Sequence, residues 1–163
     1  TIYTGAKFTR LYFKDCYIDG TTDFIFGPST ALFENCMIHS KRNSYVTAAS
    51  TPKEAKYGYI FKHCKLTAEP GVDKVYLGRP WRPYAYTLFI ECELGKHIVP
   101  AGWHNWGKQS NEETARYMEY KNTGEGANVS ERVAWSKQLT KKEAEAVTVD
   151  AIFGTQSNWN PID

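Results

Sequence analysis

The stretch LYFKDCYIDG (residues 11–20) determines how the rest of the chain is interpreted, because its pattern recurs three times downstream. Each copy has the form F-x-x-C-x-[I/L]. The four copies are LYFKDCYIDG (11–20), ALFENCMIHS (31–40), YIFKHCKLTA (59–68) and TLFIECELGK (87–96). Their cysteines follow one another at intervals of 20, 28 and 28 residues. A unit that recurs at such intervals is the signature of stacked structural repeats, that is, of a solenoid.

The spacing within each copy predicts a bend between two short strands. Alternate side chains of a strand share a face, so the cysteine and the isoleucine or leucine two positions later point the same way. The phenylalanine, three positions before the cysteine, can also face inward only if the chain turns between them. Polar pairs such as Lys14-Asp15 and Glu34-Asn35 stand at that point. Strand, corner and strand make one side of a coil in a parallel β-helix, so we expect an all-β fold.

Stacked coils would place the four cysteines in a ladder inside the solenoid. Neighbouring coils lie about 4.8 Å apart, a distance that a disulfide tolerates. Side chains that point the same way fit disulfide geometry poorly, however, whereas small buried thiols pack well. We therefore expect four free, buried thiols rather than two disulfides.

A second set of strand-like stretches follows the cysteine segments and predicts another stacked sheet. They are TTDFIFG (21–27), SYVTAAS (44–50), KVYLGRPW (74–81) and HIVPAGW (97–103). We assign residues 1–106 to the coils that carry these strands, and residues 107–163 to the final coil or coils and a C-terminal cap of the same domain. Thr140 and Glu143 have the spacing of a capping box, so a short helix should begin there. The polar segment 121–130 is expected to be a loop.

Asp23 is the most unusual residue of this second set, because it precedes the apolar run Phe24-Ile25-Phe26 where strand propensity disfavours aspartate. Arg79 lies in the stretch two coils later, about 10 Å along the stack. An arginine partner keeps a partly buried carboxylate ionised and oriented, which suits a nucleophile or a ligand anchor. The alternative is an ion pair that only neutralises buried charge.

Tryptophans accompany these two residues. Trp81 follows Arg79 by two positions, and Trp103 and Trp106 belong to the next coil. Aromatic rings beside a carboxylate and an arginine form a platform for the faces of sugar rings. The alternative is that they fill the core or its rim.

The composition argues against several other classes of protein. The 163 residues include 20 basic and 18 acidic side chains, a net charge of +2 with no long basic block, which gives no reason to expect nucleic acid as a partner. No apolar run approaches the length of a membrane span. The four histidines lack the spacing of metal ligands, and no phosphate-binding glycine loop or G-x-S-x-G motif occurs. We expect no metal site.

Two motifs, GTTDFIFG (20–27) and YLGRPW (76–81), closely resemble those of the pectin methylesterases. The sequence of residues 14–27, KDCYIDGTTDFIFG, is more similar to bacterial than to plant members. The likeness continues through PAGWHNW (100–106), MEYKNTGEGA (118–127), residues 132–135 and FGTQSNWNP (153–161). It implies a right-handed parallel β-helix that hydrolyses the methyl esters of homogalacturonan to pectate and methanol without a cofactor. It also implies an extracellular or periplasmic location.

The resemblance assigns a role to each matching residue. Asp23 matches the nucleophile and Arg79 the arginine that holds it. Trp81, Trp106 and Phe26 match residues that line the subsites for galacturonate.

The chain departs from the family pattern in one important respect. The family's general-acid aspartate and oxyanion glutamine belong to a Q-D-T-x-Y motif, whereas this chain opens with Thr1-Ile2-Tyr3. The glutamine of a T-A-Q motif is replaced by Ala49, and neither Asp15 nor Asp19 is expected to act as the acid. We therefore expect an N-terminally truncated C-terminal portion, inactive alone, and either monomeric or completed by an N-terminal half. The alternatives are a non-catalytic pectin-binding β-helix and a pectate lyase.

Overall fold

The protein was analysed as a computed structural model that describes residues 1–154, 159, 161 and 162. Its strands are β1 (Ile2–Tyr3), β2 (Arg10–Lys14), β3 (Tyr17–Gly20), β4 (Ile25–Gly27), β5 (Thr30–Glu34), β6 (Met37–Ser40), β7 (Tyr45–Ala49), β8 (Tyr59–Lys62), β9 (Lys65–Ala68), β10 (Tyr76–Gly78), β11 (Tyr86–Ile90), β12 (Glu93–Leu94), β13 (Arg116–Tyr120) and β14 (Lys137–Gln138). The helices are α1 (Ser110–Thr114), α2 (Lys141–Glu145) and α3 (Val149–Phe153), with a 3₁₀ turn at Glu125–Ala127.

The strands form three parallel sheets, which confirms the predicted parallel β-helix. The phenylalanine sheet has the order β14-β13-β11-β8-β5-β2, and the cysteine sheet has the order β12-β9-β6-β3. The third, here called the cleft sheet, has the order β1-β4-β7-β10. Each of the first four coils contributes one strand to each of these sheets, so residues far apart in sequence become neighbours across coils.

The phenylalanines of the repeat form a continuous stack in the core. Phe13, Phe33, Phe61 and Phe89 lie in register on adjacent strands. Their rings are stacked at centroid distances of 4.7, 4.5 and 4.4 Å. This regular contact aligns each coil with the next and therefore fixes the register of the other two sheets.

The predicted corner between phenylalanine and cysteine is present in every copy of the repeat. The residue just before each cysteine has a positive φ, a left-handed conformation that reverses the parity of the chain. The four φ angles are 55° for Asp15, 52° for Asn35, 53° for His63 and 50° for Glu91. Because of this turn, the phenylalanine and the cysteine both face the core.

The cysteine ladder is present, and its four thiols are free. Cys36, Cys64 and Cys92 are buried as predicted, whereas Cys16 at the outer end of the ladder is only half-buried. Each buried thiol lies 3.4–3.5 Å from the carbonyl oxygen of the phenylalanine one coil earlier, to which it donates. The thiols therefore pack as small core groups that join the coils.

A fifth coil follows the four that the repeat marks. Glu119 of β13 pairs with Phe89, so it takes the next position in the phenylalanine stack. Asn122 takes the position of the cysteine, and its Oδ1 accepts a hydrogen bond of 2.9 Å from the backbone N–H of Cys92. The F-x-x-C-x-[I/L] pattern does not mark this coil, because polar residues replace both apolar markers, and the sequence assigned the final coil or coils to residues 107–163 without a motif. The segment 121–130, interpreted as a loop, contains no strand or α-helix and includes a bridge at Thr123 and the 3₁₀ turn.

The predicted short helix is confirmed as α2. The Thr140 side chain accepts from the Glu143 N–H at 3.2 Å, and the Glu143 carboxylate accepts from the Thr140 N–H at 3.1 Å. Helix α3 and the segment before it place Val147, Ile152 and Phe153 against the outer face of the phenylalanine sheet. Residues 155–158 and 160, within the motif at 153–161, lie outside the described residues.

The division of the chain at residue 106 stays a prediction, although Tyr117 shares a core cluster with residues of the earlier coils. Within the described residues no helix is long and apolar enough to cross a membrane.

His97, between β12 and the end of the cleft sheet, makes stability depend on pH. Its side chain is buried, and its Nε2 has no hydrogen-bond partner among the described residues. Burial, helped by the charge of His39, lowers the pKa of His97 from 6.5 to about 4. Between these values the unfolded chain binds the proton and the folded chain does not, so the free energy of unfolding should fall as the pH drops from about 6.5 to about 4. The loss is roughly 3 kcal/mol at most.

We expect His97→Asn to flatten this slope, as measured by urea unfolding at several pH values between 4 and 7. The matched control is His63→Asn, since the His63 side chain is 57% exposed. An unchanged slope in the His97 variant would show that another group causes the acid sensitivity.

Candidate active site

A cleft of about 260 Å³ runs along the outer face of the cleft sheet. Four of the five residues predicted from the sequence line it. They are Asp23, Phe26, Trp81 and Trp106, joined by Thr22 and Ala48. The fifth, Arg79, reaches the cleft through its contact with Asp23. The stacking of coils therefore brings together residues that are up to 83 positions apart, from Asp23 to Trp106.

Asp23 occupies a tight backbone turn directly before β4. Its φ is 48°, a left-handed conformation that aspartate tolerates better than most residues. Its N–H donates to the carbonyl oxygen of Tyr45 at 2.9 Å, which ties the turn to the next coil. Asp23, whose residue type has a low propensity for strands, therefore lies in the turn before β4 and not within the strand.

Arg79 binds the Asp23 carboxylate with two hydrogen bonds. Its Nε donates to Oδ1 at 3.0 Å and its Nη2 donates to Oδ2 at 2.7 Å. The two side chains are 20% and 18% exposed, so the pair is mostly but not fully removed from water. A bidentate arginine fixes both the position and the plane of a carboxylate. The carboxylate remains partly exposed and lines the cleft.

Two aromatic rings enclose the guanidinium of Arg79. Its Cζ lies 3.9 Å from the ring centroid of Tyr45 and 3.7 Å from that of Trp106. Stacking of this kind holds the planar guanidinium in one orientation. Trp106 therefore has one face on Arg79, in addition to its position at the edge of the cleft.

His104 holds Trp106 in place. The backbone N–H of Trp106, whose φ is 63°, donates to His104 Nδ1 at 3.0 Å. Burial and the charge of Arg79 lower the pKa of His104, which favours the neutral ring that can accept this bond. The His104 ring also packs edge-on against Tyr45 and Tyr76.

Tyr45 and His104 were not recognised from the sequence. The available signal was their position: Tyr45 lies in SYVTAAS (44–50), the stretch that holds Ala48, and His104 lies in PAGWHNW (100–106), the stretch that holds Trp106.

Trp81 and Phe26 form an aromatic wall on the other side of Asp23. Their centroids are 5.9 Å apart with the rings edge to face, and Tyr3 packs on Phe26 at 5.0 Å. Hydrogen bonding to the neighbouring coil continues beyond β10 and past Pro80, because the Trp81 N–H donates to the Ala49 carbonyl oxygen at 3.0 Å. Ala48 faces the cleft, whereas Ala49 is buried in the core.

Trp103 is not part of the sugar platform, so that interpretation was wrong. It is only 1% exposed, and its ring stacks on Tyr117 at 4.4 Å inside the solenoid. Parity explains the difference, because Trp103 pairs with Gly78 on the inner side while Trp106 follows the turn after it.

The other aspartates considered from the sequence lie elsewhere. Asp15 is exposed at a corner, where Asn35 donates to it, and Asp19 faces Lys41 at 3.8 Å. In the part of the chain that the structure describes, no group of three or more histidine, cysteine or acidic side chains could hold a metal ion. The chemistry of the cleft therefore centres on the oriented Asp23 carboxylate.

Comparison with known proteins agrees with the motifs. The family model described as Pectinesterase matches residues 1–156. Pectinesterase 31 of Arabidopsis thaliana is 44% identical over 136 residues, which cover 83% of this chain and 43% of that protein. The chain thus spans less than half the length of this relative.

Solved structures show the same likeness. The pectin methylesterase from carrot superposes with a TM-score of 0.85 at 32% identity, covering 94% of this chain and 54% of that one. A pectin methylesterase solved in complex with a hexasaccharide gives a TM-score of 0.77 at 30% identity, covering 93% and 53%. The similarity to bacterial members in particular stays a prediction. A family match over almost the whole length, on a shared fold, means that this chain belongs to the pectinesterase family.

Proposed function

We propose that the cleft belongs to a pectin methylesterase that hydrolyses the methyl esters of homogalacturonan to pectate and methanol, with Asp23 as the nucleophile. The observation that carries this proposal is the bidentate Asp23–Arg79 pair at the floor of an aromatic cleft. A carboxylate held in one plane, with one side open to a substrate, can attack an ester carbon.

The reaction would take place in two steps. An oxygen of Asp23 attacks the ester carbonyl carbon, and the carbonyl oxygen becomes an oxyanion. The bond to the methoxy oxygen then breaks, and that oxygen takes a proton and leaves as methanol. Water attacks the resulting anhydride, which frees galacturonate and restores the Asp23 carboxylate. Arg79 would align the Asp23 carboxylate for the attack and hold it again once the anhydride is hydrolysed. The proton for methanol must come from a group or water molecule that reaches the same cleft.

The aromatic wall would position the polysaccharide. Trp81 and Phe26 present apolar ring surface beside Asp23, which suits the C–H faces of galacturonate rings. Trp106, fixed by His104 and Arg79, would support the chain on the other side of the nucleophile. Since the substrate is a cell-wall polysaccharide, we place the protein outside the cytoplasm, either extracellular or periplasmic.

Methanol release from methyl-esterified homogalacturonan is the direct test, with the natural protein and the 163-residue chain assayed side by side. A second candidate, a pectin-binding β-helix without catalysis, is favoured by one observation: Asp23 is the only carboxylate that lines the cleft among the described residues. If the natural protein binds pectin but releases no methanol, the binding function holds and the esterase proposal fails. An unsaturated, ultraviolet-absorbing product would instead indicate a lyase.

Arg79→Ala should lower kcat/KM for methanol release by about a hundredfold, because Asp23 would lose its orientation and its counter-charge. Arg79→Lys should recover only part of this loss, since an ammonium group keeps the charge but cannot form the two parallel bonds. The matched control is Arg42→Lys, at an exposed arginine outside the cleft. If Arg79→Lys were as active as the natural protein, the positive charge at position 79 would be sufficient and the two parallel hydrogen bonds would not be needed.

A further inference from the structure

The loop that carries Trp106 is held in a conformation that most residues avoid. Trp106 has a φ of 63° and Gly107 one of 69°, so two consecutive residues lie in the left-handed region. A bulky residue stays in this region only where its surroundings hold it there. Two side chains do so, because His104 Nδ1 accepts from the Trp106 N–H at 3.0 Å and Asn105 Oδ1 accepts from the Gly107 N–H at 2.8 Å. Of these two acceptors, only the imidazole is lost when a proton binds.

His104 is itself fixed at the end of the cleft sheet. Its backbone N–H donates at 3.1 Å to the carbonyl oxygen of Gly78, the last residue of β10. Its ring packs edge-on against Tyr45 and Tyr76, at centroid distances of 5.4 and 5.3 Å, and those two rings stack on each other at 5.2 Å. Among the described residues, the titratable groups that face the imidazole are Tyr45 from β7, Tyr76 from β10 and Arg79 directly after β10.

A proton on His104 would remove the acceptor and add a positive charge at the same point. The neutral imidazole has one ring nitrogen free to accept, whereas both nitrogens of the protonated ring are donors. The Nδ1–H would then face the N–H of Trp106, and the hydrogen bond would be lost. Burial and the charge of Arg79 lower the pKa of His104 below its ordinary value of 6.5, so the ring is neutral at neutral pH and takes up its proton on the acid side.

The position of Trp106 matters because its ring lies on Arg79. The Cζ atom of Arg79 is 3.7 Å from the centroid of the Trp106 ring, a contact that is here called the clamp. Once the bond to His104 is broken, the left-handed turn at Trp106 is no longer held and the ring can leave the guanidinium. Arg79 then keeps Tyr45, at 3.9 Å, as its one remaining stacking partner of the two.

We propose that His104 is a positioning residue of the cleft, whose neutral ring holds the clamp closed and whose protonation releases it. Arg79 fixes the plane of the Asp23 carboxylate through two hydrogen bonds, so a released clamp leaves Asp23 less well aligned. Activity should therefore fall on the acid side of neutral pH when His104 binds a proton. This consequence for catalysis rests on the proposed function, whereas the release of Trp106 does not.

Two variants of the natural protein separate the acceptor from the ring. His104→Asn keeps an acceptor two residues before the Trp106 N–H, the arrangement that Asn105 makes with Gly107, and it has no titratable group. His104→Phe keeps an aromatic ring but offers no acceptor. The measurement is kcat/KM for methanol release at a series of pH values from about 4.5 to about 8.

The natural protein should lose about tenfold in kcat/KM as the pH falls through the titration of His104. His104→Asn should stay within about threefold of the natural value at the upper end of the range and should lack this acid step. His104→Phe should be about tenfold less active at every pH, also without the step. An acid step that persists in His104→Asn, or a His104→Phe variant as active as His104→Asn, would overturn the proposal.

The matched control is His63→Asn, because the His63 side chain is 57% exposed and lies outside the cleft. It should leave kcat/KM within about twofold of the natural value and keep the acid step.

Nuclear magnetic resonance gives a readout that does not need activity. In ¹⁵N-labelled protein the backbone amide signal of Trp106 should move with the ring nitrogens of His104 as the pH falls, and it should stay in place in His104→Asn. An amide signal that does not follow His104 would contradict the clamp. If the signal follows His104 in a protein that releases no methanol, the clamp is supported and the esterase function fails separately.

Discussion

Asp23→Asn should abolish methanol release from methyl-esterified homogalacturonan, with kcat lowered by at least about a thousandfold in the natural protein. The amide has nearly the shape of the carboxylate, and its oxygen can still accept one hydrogen bond from Arg79. It has no negative charge, however, and cannot form the anhydride with the substrate. The fold should persist, because the pair is partly exposed and its turn is held by the backbone bond to Tyr45.

The matched control for this prediction is Asp19→Asn, four residues earlier. Asp19 is near Lys41 at the surface, outside the cleft, so its loss should leave methanol release within about twofold of the natural rate. Thermal unfolding of both variants verifies that they are folded. Methanol release by Asp23→Asn at the natural rate would exclude Asp23 as the nucleophile. The Asp23–Arg79 pair would then serve only to neutralise charge.

The repeat made the architecture predictable because a β-helix applies the same local rule at each coil. Phenylalanine and cysteine are three positions apart, so in one continuous strand their side chains would point to opposite faces. A residue in the left-handed conformation at each corner turns the chain, and both side chains then face the core. The same regularity explains why Asp23 and Arg79 could be paired from the sequence although 56 positions separate them. Each lies at an end of a strand in the same sheet, two coils apart, within reach of a guanidinium.

The parts that escaped prediction depend on contacts between side chains. Nothing local to Tyr45 or His104 indicates that one packs on the guanidinium of Arg79 and the other accepts a bond from Trp106. Spacing alone did not separate Trp103 from Trp106, although the family resemblance assigned a role to Trp106 only, and in the structure the pairing of Trp103 with Gly78 identifies the core ring.

The position of the fifth coil was not marked by the repeat for a different reason, since its marker residues are polar. Glu119 continues the phenylalanine stack, yet its side chain is only 1% exposed. Its charge is tolerated because Arg132, 4% exposed, donates from Nε to Oε2 at 2.9 Å and from Nη2 to Oε1 at 3.1 Å. The remaining donors of Arg132 bind the carbonyl oxygens of Pro100 at 3.0 Å and Gly126 at 2.7 Å. The pair therefore joins the last full coil to the segments that follow it.

Arg132→Met should destabilise the protein by about 3–5 kcal/mol, because it leaves the Glu119 carboxylate buried without its partner. Methionine keeps much of the side-chain volume, so most of the loss is electrostatic rather than a cavity effect. For a chain of this size the thermal midpoint should fall by roughly 10 °C. Urea unfolding at neutral pH measures the free energy, and methanol release below the unfolding transition should be nearly unchanged, since the pair lies outside the cleft.

Two further variants separate the buried charge from a general loss of packing. Lys65→Met breaks the exposed pair with Glu93, whose side chains are 52% and 55% exposed, and should cost less than about 1 kcal/mol. Glu119→Leu/Arg132→Met removes both buried charges and should recover a large part of the stability lost in the single variant, because no unpaired carboxylate remains. If the double variant is less stable than Arg132→Met alone, the loss arises from the bonds of Arg132 to Pro100 and Gly126. The unpaired charge would then not be the cause.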